Sequence, residues 1–243
     1  MNIQPIEKRD PEHTGETLEV HSVFNTIQGE GPFTGRHAIF IRLAGCNLQC
    51  PACDTAYTSP RESLTVEKLV AKVHETYQNN YQDSILVVIT GGEPFRQNIT
   101  FLARKLLNRG YTVQIETNGT LPPSEGLREL CSIDTRTKGR CFVVCSPKTG
   151  KINKELLPLV CAYKYVMSGD SVGSDGLPVT VLGHSVGQWV ARPPEGFKGP
   201  VYLQPADNGN PVDNKRNLQA CVDSVMRNGY TLQLQIHKLI GVE

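Results

Sequence analysis

The sequence predicts an α/β fold, an incomplete, partial TIM-type β/α barrel of about six parallel strands. Two observations carry this. From Ala38 onward short β-branched runs alternate with amphipathic stretches, and the runs are almost continuously apolar, as strands covered on both faces are in parallel sheets. Short connections between parallel strands force right-handed crossovers, which curl the sheet. At 243 residues with 39% hydrophobic content the chain can bury one sizeable core, and its length suits one domain better than two. The expected division is a loose polar N-terminal arm over residues 1–16, containing Pro5 and Pro11, and a single domain over 17–243.

Taken in order, Leu18 to Phe24 alternates as a strand does. Ile27 to Gly35, with three glycines and Pro32, is a shaped loop. It reads equally as a hairpin connection or as a ligand loop, in which glycine admits close backbone approach and Gln28 and Glu30 offer polar edges to a planar molecule. Ala38 to Leu43 is a strand. Thr65 is the N-cap of a helix whose apolar face is Val66, Leu69, Val70 and Val73, with Lys68 where a capping box would want Glu. Ser84 to Ile89 is the next strand, and Gln97 to Asn108 a helix closed by Gly110. Further strands are expected at Tyr111–Glu116, Arg140–Cys145, Ala162–Val166, Pro200–Leu203 and Thr231–His237, with helices at Glu125–Cys131 and Asn214–Asn228. Ser168 to Pro194 is a Gly-, Ser- and Pro-rich irregular excursion with no role assigned. The sequence holds no internal repeat and no low-complexity segment.

A net charge of +1 with interspersed signs argues against nucleic-acid and anionic-membrane partners, leaving small molecules. Without an N-terminal apolar region or a membrane-length run, the expected location is cytoplasmic, where all eight cysteines stay reduced. Cys131, Cys141, Cys145, Cys161 and Cys221 are scattered as small hydrophobes are, and Cys141-x3-Cys145 reads as alternate strand positions. Cys46, Cys50 and Cys53 differ, because C-x3-C-x2-C directly after a strand lets one loop wrap a single centre. Thiolate suits zinc, copper(I) or iron–sulfur. A structural zinc wants four ligands, yet His37 precedes the strand and His74 falls in a helix. A four-iron cluster on three cysteines leaves one iron open to a small molecule. Zinc completed by a distant residue or water, and three unrelated thiols, remain as alternatives.

In a β/α barrel the active site is assembled at the C-terminal ends of the strands. The cysteine loop follows the first; Thr90-Gly91-Gly92-Glu93-Pro94 the second; Thr117-Asn118-Gly119 the third; Ser146-Pro147-Lys148 the fourth; and Gln204-Pro205-Ala206-Asp207 a later one. Each alone is a plain turn. In register beside a metal-binding loop they are a candidate site.

The cysteine spacing with Gly91-Gly92-Glu93-Pro94 resembles the radical S-adenosylmethionine enzymes. Phe24-Asn25-Thr26-Ile27-Gln28-Gly29-Glu30-Gly31, Arg42, Cys53-Asp54-Thr55, Glu116-Thr117-Asn118-Gly119, Ser146-Pro147-Lys148, Gln204-Pro205 and His237-Lys238 narrow it, being similar to the 7-carboxy-7-deazaguanine synthase family from about residue 18 onward. The resemblance implies conversion of 6-carboxy-5,6,7,8-tetrahydropterin to 7-carboxy-7-deazaguanine with loss of ammonia, toward queuosine and related deazapurines. It implies a 4Fe-4S cluster on Cys46, Cys50 and Cys53 whose open iron binds S-adenosylmethionine. Reductive cleavage there gives a 5′-deoxyadenosyl radical that abstracts hydrogen from the pterin. Gly92 and Glu93 would hold the methionine end, and Ala52, Asp54, Ser146, Pro147, Lys148 and Gln204 the rest of the cofactor. Mg2+ would sit by Thr55. Ile27, Gln28, Gly29, Arg42, Thr90, His237 and the carboxylate of Glu243 would grip the pterin, Arg42 matching its carboxylate bidentately. A one-electron donor such as flavodoxin and a homodimer are further implications.

Three departures stand out. Ala52 occupies the place before the third cysteine where radical S-adenosylmethionine enzymes carry an aromatic against the adenine. Glu243 adds a second carboxylate to the terminal one, and the N-terminal arm is longer than the family needs. A glycyl-radical activase shares the cluster and the Gly-Gly-Glu-Pro turn, but not the Gln28 loop or the His237 tail. A non-catalytic zinc or iron–sulfur protein is separated by anaerobic metal and sulfide analysis.

Overall fold

The computed structural model describes residues 2–77, 85–131, 139–184 and 189–242. Ser84, the expected start of a strand, and Glu243 lie outside them. Among the described residues the strands, in chain order, are β1 (Thr17–Ile27), β2 (His37–Leu43), β3 (Glu62–Thr65), β4 (Leu86–Gly91), β5 (Thr112–Thr117), β6 (Cys141–Cys145), β7 (Val160–Met167), β8 (Val201–Pro205) and β9 (Thr231–Leu232). The α-helices among the same residues are α1 (Val66–Thr76), α2 (Thr100–Asn108), α3 (Glu125–Cys131), α4 (Pro211–Asn228) and α5 (Ile236–Ile240). One sheet runs β3-β1-β2-β4-β5-β6-β7-β8-β9 and does not close on itself, as an incomplete barrel requires. From β2 through β9 every pairing is parallel, while β1 runs antiparallel to β2 and β3 to β1.

The alternation along each strand divides the sheet into two faces. Ile39, Ile41, Leu43, Val87, Ile89, Val113, Ile115, Val143, Cys145, Tyr163, Tyr165 and Leu203 point to the helix-covered side and form the main core with Leu69, Leu102 and Leu106 of α1 and α2. Ala38, Leu86 and Val88 form a small second cluster on the inner face, packed by Phe33 and Phe40. Further along the same face the inward positions turn polar: Arg42, Thr90, Glu116, Ser146, Lys164 and Gln204 all border one cavity. The apolar floor closes the N-terminal end of the barrel, so the polar C-terminal end is left for chemistry.

Local signals explain most of the boundaries. The Thr65 hydroxyl accepts the Lys68 N–H at 3.3 Å and starts α1. Asn210 caps α4 through Val212 N at 2.9 Å with Pro211 in the first turn, and Gly229 at φ +74 ends it.

Several expectations are corrected. β3 went unread because four residues, only one of them a large hydrophobe, carry no periodic signal. The helix expected from Gln97 starts at Thr100 instead, after a 3-10 turn over Pro94–Arg96. Gln97 is extended, and its side chain bonds Glu19 O at 3.0 Å and Glu19 N at 2.7 Å, tying β1 to the turn. The strand expected over Thr231–His237 is only two residues long, and His237 lies in α5. Cys131 and Cys141, expected as scattered thiols, are brought together, their Cα atoms 5.1 Å apart where the end of α3 meets β6.

The arm is docked along the cysteine loop instead of hanging loose. Glu7 N donates to Cys46 O at 2.7 Å, and Asn2 N to Pro51 O at 2.9 Å. Gln4 bonds Thr55 O and Tyr57 N at 2.9 and 2.6 Å, while Glu7 pairs with Arg61 and Arg96. Its polar composition, read as a sign of disorder, serves to satisfy the backbone of an irregular loop.

Candidate active site

The cysteine loop leaves β2 beside the end of β4, and glycine makes that proximity tolerable. A Cβ on Gly92 would lie 2.0 Å from Gly45 O, and Gly91, at φ +131, presses on the Leu43 backbone. The two turns are joined by Gly92 N to Leu43 O at 3.1 Å and Glu93 N to Gly45 O at 3.0 Å. The Gly-Gly pair thus sets where the thiols sit.

A cavity of about 970 Å3 opens at this end of the sheet. Cys46, Cys50, Cys53, Ala52, Asp54 and Thr55 border it from the cysteine loop, and Gly92, Ser146, Lys148 and Gln204 from the later strand ends. Ile27, Gln28, Arg42, Thr90 and His237 border the same cavity. Three expected residues are not on the surface of the cavity. Gly29 backs it, since a Cβ there would fall 1.8 Å from His237 Nδ1. Pro147 is buried within its turn. Glu93 faces inward: its carboxylate accepts Thr117 Oγ1 at 2.7 Å, Asn118 N at 2.8 Å and Phe95 N at 3.0 Å. The backbone donors freed at the ends of β4 and β5 capture it, so it fixes the shape of the turn, with Gly92 at the surface. Burial pushes its carboxyl up, against those hydrogen bonds.

Sequence reasoning missed the centre of the polar wall. Lys164 of β7, buried, pairs with Glu30 and lies 3.7 Å from Glu116. Burial alone would raise the Glu30 carboxyl, but Lys164, with a bond from Gln235, holds it down to about 2. Burial lowers Lys164, and Glu116 and Glu30 outweigh it, so the ammonium is retained. Glu116 also accepts Gln28 Nε2 at 3.2 Å, Gln114 Nε2 at 2.8 Å and Thr90 Oγ1 at 3.4 Å. A lysine flanked by tyrosines in the strand Val160–Met167 was the available signal.

The region after β9 reaches back to the first loop. Gln233 accepts Gly31 N at 2.7 Å and donates to Gly29 O at 2.9 Å. The loop is therefore both a hairpin and a cavity wall. His237 is lowered chiefly by burial, with Glu30 opposing and Lys238 and Lys164 assisting, so its imidazole is neutral near pH 7.

Burial raises all three loop thiols, Cys46 to about 12 and Cys50 to about 11. Among the described residues no three side chains are already gathered as a closed metal-binding group. The donor set still fits an iron–sulfur cluster: three soft ligands from one loop, bordering a cavity, which metal binding would deprotonate and draw together. Gln204 adds a buried Oε1 with no hydrogen-bond partner among the described residues, in the wall of the same cavity.

Residues 40–136 match the family model of the Radical SAM superfamily. Fold and cysteine loop define a radical S-adenosylmethionine enzyme. The 7-carboxy-7-deazaguanine synthase of Rhodospirillum rubrum is 40% identical over 239 residues, 94% of either chain. Those of Rickettsia prowazekii and Bacteroides thetaiotaomicron are 39% and 32% identical, covering 94% and 92% of this chain and 90% and 98% of their own. The crystal structure of QueE from Escherichia coli superposes with a TM-score of 0.62 at 24% identity, covering 90% of this chain and 94% of its own, and shows the shared fold. The chain belongs to the 7-carboxy-7-deazaguanine synthase family.

Proposed function

We propose that the protein catalyses the Mg2+-dependent ring contraction of 6-carboxy-5,6,7,8-tetrahydropterin to 7-carboxy-7-deazaguanine with release of ammonia. The observation that carries this is that one cavity is bordered both by the cysteine loop and by Gln28, Arg42, Thr90 and His237. A bound 4Fe-4S cluster would supply the electron that starts radical chemistry on S-adenosylmethionine. Cys46, Cys50 and Cys53 would hold it. Gly92, Ser146, Lys148 and Gln204 would line the cofactor, with Ala52 and Asp54 at its rim. Lys148 Nζ donates to Ser146 Oγ at 2.5 Å, and both residues border the cavity.

Arg42 receives the substrate carboxylate. Its guanidinium lies 5.4 Å from the Phe24 ring, and none of the described ion pairs involves it, so the fork remains available for a bidentate contact. Gln28, Thr90 and Glu116 present fixed donors and acceptors to the edge of a flat heterocycle. His237, neutral beside the Glu30–Lys164 pair, accepts a hydrogen bond and can take up a proton as the amine departs. Thr55, whose hydroxyl bonds Asp54 at 3.3 Å, keeps lone pairs toward the cavity for Mg2+, which takes few protein ligands plus substrate oxygens.

A flavodoxin-type electron donor, a homodimeric assembly and a cytoplasmic location complete the reading; no helix among the described residues is long and apolar enough to cross a membrane. The test is anaerobic incubation of cluster-reconstituted protein with the carboxypterin, S-adenosylmethionine, Mg2+ and a reductant. A deazapurine carboxylate identified by mass supports the proposal. Cleavage of S-adenosylmethionine without that product refutes it.

A further inference from the structure

The 168–194 excursion contains a turn that touches the cysteine loop at three consecutive residues. Leu182 O accepts the Ala52 N–H at 3.0 Å. Gly183, at φ +77, is seated on Pro51, whose Cβ would lie 3.2 Å from a Cβ placed there. His184 Nε2 stands 3.1 Å from Cys50 Sγ. Leu182 has φ +52, a left-handed conformation that leucine rarely adopts, and such strain persists where the surroundings enforce it. Here they do. Ser171 bonds Thr180 N and Oγ1, both at 2.8 Å, Val190 N bonds Val179 O at 2.9 Å, and Arg192 clamps Asp175 at 2.7 Å. The imidazole is thus delivered to Cys50 by an anchored segment about 130 residues downstream.

On the reading that Cys50 is an iron ligand, we infer that His184 donates its Nε2–H to the Cys50 thiolate and raises the reduction potential of the cluster. A ligating thiolate has only lone pairs to offer, so the nitrogen facing it must carry the hydrogen. Hydrogen bonds to cluster sulfurs are among the determinants of cluster potential. The bond strengthens as charge accumulates on the sulfur, so it favours the reduced form over the oxidised one. His184 acts through Cys50 and is a positioning residue.

The experiment is an EPR-monitored redox titration of anaerobically reconstituted wild type, His184→Ala and His184→Gln, with iron and sulfide measured on each. His184→Ala is expected to keep the wild-type iron and sulfide content. At a fixed poise its ratio of reduced to oxidised cluster should fall about tenfold, a downward move of about 59 mV for a one-electron couple. His184→Gln, which keeps an N–H donor, should recover most of the difference. A ratio in His184→Ala within about twofold of wild type overturns the inference. So does loss of iron with loss of a nitrogen hyperfine coupling, which would make His184 a ligand rather than a donor. Wild type that takes up no four-iron cluster would instead sink the underlying reading of the cysteine loop.

Discussion

Replacing Lys164 by Met removes the only cation among the described residues that forms an ion pair with Glu30 or Glu116, at nearly constant side-chain volume. Both carboxylates then stay buried without a counter-charge, and breaking a buried pair in this way costs about 3–5 kcal/mol. The Glu30 titration gives a similar size. Burial raises that carboxyl, but the attraction of Lys164 outweighs it, and a group held at about 2 instead of 4.5 stabilises the fold by about 3 kcal/mol at neutral pH. Because the folded value lies below the unfolded one, this stabilisation is present above 4.5 and lost as pH falls toward 2. Thermal unfolding of the cluster-free protein at about pH 7 should show Lys164→Met melting roughly 6–20 °C lower. The gap should narrow on acidification from above 4.5 downward, because without Lys164 burial raises the Glu30 carboxyl and it protonates in the folded variant before it does in the folded wild type. Adding Glu30→Gln should return more than half of the loss. A single variant within about 1 kcal/mol of wild type, or a gap unchanged down to about pH 3, would refute the reasoning.

Other substitutions probe the site piece by piece. Gly92→Ala drives a methyl group into Gly45 O, so it should cost about 1–3 kcal/mol and lower iron uptake during reconstitution; normal uptake with an unchanged melting temperature would show that the two turns can separate freely. Arg42→Lys keeps the charge but loses the fork, and should weaken carboxypterin binding about tenfold by calorimetry with cluster content unchanged. Cys50→Ala should abolish the cluster and all formation of 5′-deoxyadenosine, read by chromatography. Chelation of Mg2+ should slow product formation in wild type, and more so in Thr55→Ala; indifference in both would remove the metal from the cavity.

The parallel sheet was legible because strands covered on both faces concentrate β-branched residues, as Leu86-Val87-Val88-Ile89 does. The strand-end residues were legible because glycine, cysteine and polar side chains interrupt those runs at fixed points. What escaped depends on distance along the chain. Lys164 meets Glu30 across 134 residues, and His184 meets Cys50 across the same separation, so no window of sequence contains either pair. Glu93 shows a second limit: a polar residue at a strand end reads as a ligand contact, while the backbone N–H groups that it also satisfies at the adjoining turns are invisible in the sequence. The docking of the arm was hidden too: several of its partners are main-chain atoms, which leave no trace in residue identity, and Glu7 meets Arg61 and Arg96 far along the chain.

The bonds between Gln233 and the Gly29–Gly31 loop span more than 200 residues. During vectorial synthesis the strands of the sheet can be laid down one after another against neighbours already made, whereas this seam must wait until the far segment has left the ribosome. The cavity wall that carries Gln28 and Glu30 is therefore completed only once Gln233 has been made. A ribosome stalled before that point would carry the three thiols of the cysteine loop without the completed cavity beside them.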